Sequence, residues 1–145
     1  MKFLSSLQPL GLLLLRCALG IIFIYHGYPK LVHPATMQGF YAQHGMPAYF
    51  VYVSGVLELF GGGLLVLGLF TRVAALLLTV EMILMLWKVN GAGSYLAVRE
   101  YEFSLLLAVA CFALATVGAG LISIDELLLG TRASKSQSPK PFKKK

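Results

Sequence analysis

Residues 47–69 read PAYFVYVSGVLELFGGGLLVLGL, and beyond Phe70-Thr71 residues 72–89 read RVAALLLTVEMILMLWKV. Each run approaches the roughly 20 apolar residues that a helix needs to cross a bilayer. Two residues between them leave room only for an antiparallel hairpin. Working outward, residues 9–28 (PLGLLLLRCALGIIFIYHGY) and 102–121 (EFSLLLAVACFALATVGAGL) have the same character. Pro9 and Pro47 stand at the first turn of their runs, where proline has no helical hydrogen bond to lose. The expected fold is all-α: an integral membrane four-helix bundle with spans at about 9–28, 47–69, 72–89 and 102–121.

Composition agrees with that solvent. Of the 145 residues, 58% are apolar and 12% charged, against the roughly 45–50% and 25% of a soluble domain. So few charges cannot cover a water-facing surface. The formal net charge of +6 is a tail effect rather than a nucleic-acid face. Lys140, Lys143, Lys144 and Lys145 crowd the last six positions, and no stacking aromatics interleave them. Nucleic acid is therefore not an expected partner; the lipid bilayer is. Cys17 and Cys111 both lie inside apolar runs, form no CxxC pair, and read as small core hydrophobes. Lys2 and the run behind it imitate a secretion signal, but no small-x-small cleavage site follows, so the first segment is expected to remain as a helix.

Residues 29–46 form the long connection. Met37, Phe40, Tyr41 and His44 recur there at i, i+3, i+4 and i+7. That pattern fits either a short surface helix over the bundle mouth or an irregular loop. Ser123 and Glu126 have capping-box spacing, and Gly130 supplies a stop. Residues 1–130 are thus expected to form the membrane domain, and residues 131–145, rich in Ser, Pro and Lys, a disordered basic tail. Lys2, Arg72, Arg132, Lys135 and the four terminal lysines fall on one side, against Lys30, Lys88 and Arg99 on the other. The positive-inside rule then puts both termini in the cytoplasm.

Ionisable residues inside the spans carry the sharpest functional signal, since each costs at least about 2.5–3.5 kcal/mol at the bilayer centre. Arg16, Glu58 and Glu81 are three such residues. The offset of Arg16 from the level of the glutamates comes to about 4–6 Å at 1.5 Å per residue, within reach of its side chain. A buried cluster of all three is expected, acting either as a clasp that sets helix register or as a site for a proton or a polar ligand group. Gly61-Gly62-Gly63 reads as a helix contact, not a phosphate loop, because no strand precedes it. All seven tyrosines and Trp87 fall at one end of the spans or in the loops beyond. With His26 and Lys30, Tyr25, Tyr49 and Tyr52 fit either an outer vestibule with hydrogen-bonding walls or an aromatic anchor. The three histidines lack ligand spacing, so no metal is expected.

The pattern resembles the DoxX family of small four-helix bacterial membrane proteins. The matching elements are Arg16 with Ala18-Leu-Gly20, His26-Gly27-Tyr-Pro-Lys30, Glu58-Leu-Phe-Gly61-Gly62, Gly68-Leu-Phe-Thr71-Arg72, Met82, and Gly118-Ala-Gly120-Leu-Ile-Ser123-Ile-Asp125. The resemblance covers about residues 9–126. It implies a multi-pass protein of the bacterial inner membrane near a redox or electrophile-stress system, as some relatives look like subunits of a thiosulfate:quinone oxidoreductase. A quinone-like or other apolar ligand is the expected small molecule, with no covalent cofactor. An accessory membrane subunit, acting with a protein partner or a second copy, is expected rather than an autonomous enzyme. A chaperone-like assembly subunit and a proton-coupled transporter are the alternatives.

Overall fold

A computed structural model describes residues 7–90, 98–120 and 122–127. The described residues contain no strand. They form α1 (Gln8–Val32), α2 (Pro34–Gln43), α3 (Phe50–Leu67), α4 (Thr71–Asn90) and α5 (Val98–Val117). The basic tail, Lys2, Tyr95 and Gly130 lie outside the described residues, as do the side chains of Arg99, Glu100 and Tyr101.

α1 and α3 are long and apolar enough to cross a membrane; the apolar stretch Glu102–Val117 of α5 is shorter. α4 has 20 residues, about 30 Å at 1.5 Å per residue, but carries Arg72, Glu81 and Lys88. Around the outside, Leu14, Ile21, Phe60, Val73, Val80, Leu106, Val109 and Phe112 are all exposed. Apolar side chains on every outward helix face would be a liability in water and are the normal surface in lipid.

The helices associate as two close pairs, α1 with α3 and α4 with α5, joined chiefly through α3 and α4. Glycine makes the first pair close. A Cβ placed on Gly20 would stand 2.6 Å from the Gly62 carbonyl oxygen, and one on Gly27 would stand 2.6 Å from the Leu59 nitrogen and 2.9 Å from the Gly55 oxygen. Rising numbers on α1 meet falling numbers on α3, so the pair is antiparallel and its backbones touch. Gly61 faces Leu78 of α4 instead, whereas Gly63 has nothing within 4 Å. The apolar core lies between the pairs and includes Phe23, Leu65, Leu78, Met82, Cys111 and Leu114.

One element departs from the sequence reading, and one open alternative is decided. α1 does not stop at Tyr28 but runs through Pro29 to Val32, and the His33 amide closes its last turn on the Pro29 carbonyl at 2.8 Å. Proline in a final turn forfeits only one amide bond, while Gly27 before that point and Lys30 after it are both buried against α3. Between α1 and α3, Met37, Phe40 and Tyr41 of the stripe lie on α2 and His44 immediately follows it, so the helix alternative holds. Its Tyr41 is buried and forms a second small core with Met46 and Val51.

The α3–α4 turn is held from outside. Gly68, left-handed at φ 70°, ends α3, and its amide and that of Leu69 both return to the Leu64 carbonyl. Phe70, a non-glycine residue at φ 49°, is fixed by Asp125, whose two carboxylate oxygens accept the Phe70 and Thr71 amides at 2.8 and 2.9 Å. The Asp125 amide in turn donates to the Gly68 carbonyl. Ser123 caps the helical turn that follows, its Oγ accepting the Glu126 amide at 3.1 Å. The segment after α5 therefore latches onto the hairpin, which explains why Gly68–Arg72 and Gly118–Asp125 stand out together in the sequence.

Candidate functional site

Halfway along α3 and α4, four helices deliver polar side chains to one buried place. α3 presents Ser54 and Glu58 one turn apart on the same face. α1 brings Lys30, α2 brings Tyr41, and α4 brings Glu81. Lys30 Nζ lies 2.8 Å from Glu58 Oε2 and donates to Ser54 Oγ at 2.8 Å. The Tyr41 hydroxyl donates to the same Ser54 oxygen at 3.0 Å, and its ring lies under the ammonium, 5.7 Å from Nζ to centroid. Glu58 is 3% and Glu81 4% exposed.

Glu81 differs from its neighbours. It lies within electrostatic range of Glu58 and Lys30 and within reach of the Ser54 hydroxyl, whose proton is not committed elsewhere, yet neither of its carboxyl oxygens has a hydrogen bond of good geometry. The centre thus holds two carboxylates and one ammonium, with one carboxylate unmatched. Buried polar groups are nearly always satisfied, because each unmet one costs about 1–3 kcal/mol and more when charged.

Arg16 is not part of this centre. Glycine contact sets α1 so that Gly20 meets Gly62, which leaves Arg16 one turn further on, level with the end of α3. There its guanidinium abuts Gly68 and donates to the carbonyls of Ala119 at 2.7 Å and Ile122 at 2.9 Å. Gly68 follows Glu58 by ten residues, about 15 Å along the helix, which is too far for a shared cluster. The expected Arg16–Glu58–Glu81 cluster is therefore corrected to two separate ones. Nor does Arg16 reach outward for water: it is 2% exposed, and its charge is met by carbonyls just past the C-terminus of α5.

The expected vestibule is likewise taken apart. Tyr25, Tyr49 and Tyr52 are 76%, 64% and 45% exposed and point away from the interior. His26 is exposed too; its Nδ1 is 2.8 Å from the Ile22 carbonyl and its ring lies 5.6 Å from that of Phe103. Only Lys30 belongs to the interior, as the partner of Glu58. Neighbours in sequence at a helix end face different ways, since successive residues turn by about 100°.

Tyr41 and Ser54 are the residues of this centre that sequence reasoning missed. A signal for Ser54 existed. Gly20 and Gly27 on α1 and Gly55 and Gly62 on α3 are each seven apart, and antiparallel alignment of these pairs brings residue 30 opposite residues 52–54. Nothing comparable marks Tyr41, whose place depends on how α2 folds back over the pair.

A family model described as DoxX matches residues 11–91, a stretch that contains all five residues of the centre. The chain is 32% identical over 116 residues to the Bacillus subtilis protein named "Putative oxidoreductase CatD", covering 80% of this chain and 85% of that one. It is 34% identical over 130 residues to an uncharacterized Haemophilus influenzae protein, covering 86% and 96%. Over 107 residues it is 31% identical to an uncharacterized membrane protein of Mycobacterium tuberculosis, covering 69% and 66%. No solved structure matches the chain.

Proposed function

This chain belongs to the DoxX family, and on that premise we propose that it is an inner-membrane subunit that binds the polar end of a quinone-like ligand at its buried centre, in the service of a redox or electrophile-stress system. α1, α3, α4 and α5 are its four spans, and both termini lie in the cytoplasm. The excess of lysine and arginine on one side supports that orientation; a periplasm-active reporter fused to the C-terminus should be silent, and activity there would reverse it.

The observation that carries the reading is Glu81. A clasp serving only to hold helices together would close its own hydrogen bonds, as the two oxygens of Asp125 do. The Lys30–Ser54–Glu58–Tyr41 group is tied together by contacts of 2.8–3.0 Å, whereas neither oxygen of Glu81 beside it has a hydrogen bond of good geometry, the Ser54 hydroxyl being a donor within its reach. A carboxylate kept unmatched in a dry interior is a functional feature by default. It is placed to accept a hydrogen bond or a proton from a bound group, while Lys30 and Tyr41 fix the field around it. Redox association is supported by the name of the Bacillus subtilis relative. Cys17 and Cys111 are free and sit on different helices, so electrons are assigned to a partner subunit and ligand and proton handling to this chain.

Photolabelling of the purified protein with an azidoquinone tests the site. Label should concentrate in peptides that contain residues 30–58 and 78–86. A pattern spread evenly over the lipid-facing surface, α5 included, would sink the proposal.

A further inference from the structure

Ser54 stands at the junction of the buried centre. Its oxygen accepts from the Lys30 ammonium at 2.8 Å and from the Tyr41 hydroxyl at 3.0 Å. A serine hydroxyl has two acceptor lone pairs and one proton. Both lone pairs are filled, so the proton is left to point elsewhere, and Glu81 is the acceptor within its reach. Glu81, Ser54 and Tyr41 thus form a file of exchangeable hydrogens leading from α4 through α3 to α2. Among the described residues, the other charged and titratable groups around this file are Lys30 of α1 and Glu58 of α3, with His26 of α1 in electrostatic range of Glu58. From α5, the Cys111 thiol lies within the apolar core.

Seen from Glu81, the two ends of the bundle are unlike. Toward the chain termini, Phe23, Leu65, Leu78 and Leu114 fill the interior over the roughly 15 Å that separate Glu58 from the level of Arg16. Thr79, a buried hydroxyl in this stretch, is turned onto the Ala75 carbonyl at 2.7 Å. A cavity at that end is lined by Gln8, Leu12, Arg72 and Glu126 and reaches no residue of the centre. Toward α2, one side chain, that of Tyr41, lies between Ser54 and the outer face of the helix, where Met37, Ala42 and Gln43 are exposed. Protons travel through a membrane interior along chains of polar groups, which apolar side chains interrupt. We infer that the centre exchanges its proton with the α2 side of the membrane alone, with Ser54 as the relay between Tyr41 and Glu81. Ser54 passes its hydroxyl proton to the Glu81 carboxylate while its oxygen takes the proton of Tyr41. Water admitted under α2 then reprotonates the Tyr41 oxygen, and release runs the same steps in reverse. The inference rests on the proton-handling reading of the centre proposed above, but not on the identity of the ligand.

The test places the full chain in liposomes in one orientation, with impermeant buffers setting the pH on each face. Infrared difference bands are assigned to Glu81 by their loss in Glu81→Gln. A pH step on the α2 face should shift those bands at once, whereas the same step on the terminus face should leave them unchanged until the gradient decays. Ser54→Ala should slow the response about a hundredfold, the lower end of what a positioned proton-transfer group supplies. Ser54→Thr, which keeps the hydroxyl, should restore the rate, and Tyr41→Phe should slow it as Ser54→Ala does. An equally fast response to the terminus face would overturn the inference, as would a Ser54→Ala variant that loses stability but responds at the original rate. No Glu81 response from either face would overturn the proton-handling reading with it. A response from the α2 face alone, beside azidoquinone label spread evenly over the surface, would support the inference and sink only the ligand. Should Ser54→Ala fail to fold, Tyr41→Phe and the comparison of the two faces still decide.

Discussion

Lys30→Met removes the cation from a centre that then holds only carboxylates. The ammonium lies 2.8 Å from Glu58 Oε2, and the two side chains are 11% and 4% exposed, so water cannot take over its role. Stranding one member of such a buried pair costs about 3–5 kcal/mol. Exchanging both members for apolar groups of similar size is often neutral or better. Lys30→Met should therefore be strongly destabilising, and adding Glu58→Met should recover most of the loss, giving a coupling energy of about 3–5 kcal/mol. A parallel cycle serves as control. Arg16 lies about 15 Å from Glu58 along the helix, so Arg16→Met and Glu58→Met should add to within about 0.5 kcal/mol. Both cycles are measured by unfolding the protein in mixed micelles with increasing dodecyl sulfate while following helicity by circular dichroism. Additive Lys30 and Glu58 effects would refute the proposed pairing, and strong Arg16–Glu58 coupling would restore a single cluster.

Two further substitutions probe the frame. Gly62→Ala sets a methyl 2.6 Å from the Gly20 carbonyl oxygen, where backbone must give way, so a loss of about 1–3 kcal/mol is expected; Gly63→Ala next to it, with nothing within 4 Å, should be neutral in the same unfolding assay. Asp125→Asn keeps one acceptor oxygen but replaces the other with a donor facing an amide. It should cost about 0.5–2 kcal/mol, as loss of a helix cap does, and should speed hydrogen exchange at the Phe70 and Thr71 amides ahead of those in mid-α4.

Much of the frame was legible because it depends on runs of residues rather than on particular pairs. The hairpin of α3 and α4 follows from two apolar runs and a turn too short for another arrangement. Gly61-Gly62-Gly63 was rightly separated from a phosphate loop, although only Gly62 meets α1 and Gly61 meets α4. The end of α1 was misplaced because Pro29 reads locally as a stop, whereas burial of Lys30 against α3 carries the helix one turn further. The site was half legible. Glu58 and Glu81 stand out as charges in apolar runs, but their cation was sought in Arg16, which shares that distinction, and not in Lys30, which looks like an interfacial residue at a helix end.

By itself the sequence determined that the chain is helical and lipid-adapted, and that acidic groups are buried within it. These properties follow from composition and length, which a bilayer reads without regard to partners. Only the tertiary structure decided which cation serves which acid. That choice rests on the register of α1 against α3, set where backbone meets backbone at Gly20, Gly27, Gly55 and Gly62. A shift of one turn is about 5.4 Å, enough to exchange an ion pair for none. With the register as it stands, Arg16 goes to the carbonyls beyond α5 and Lys30 to Glu58, and among the described residues Glu81 is left without an ion pair of its own.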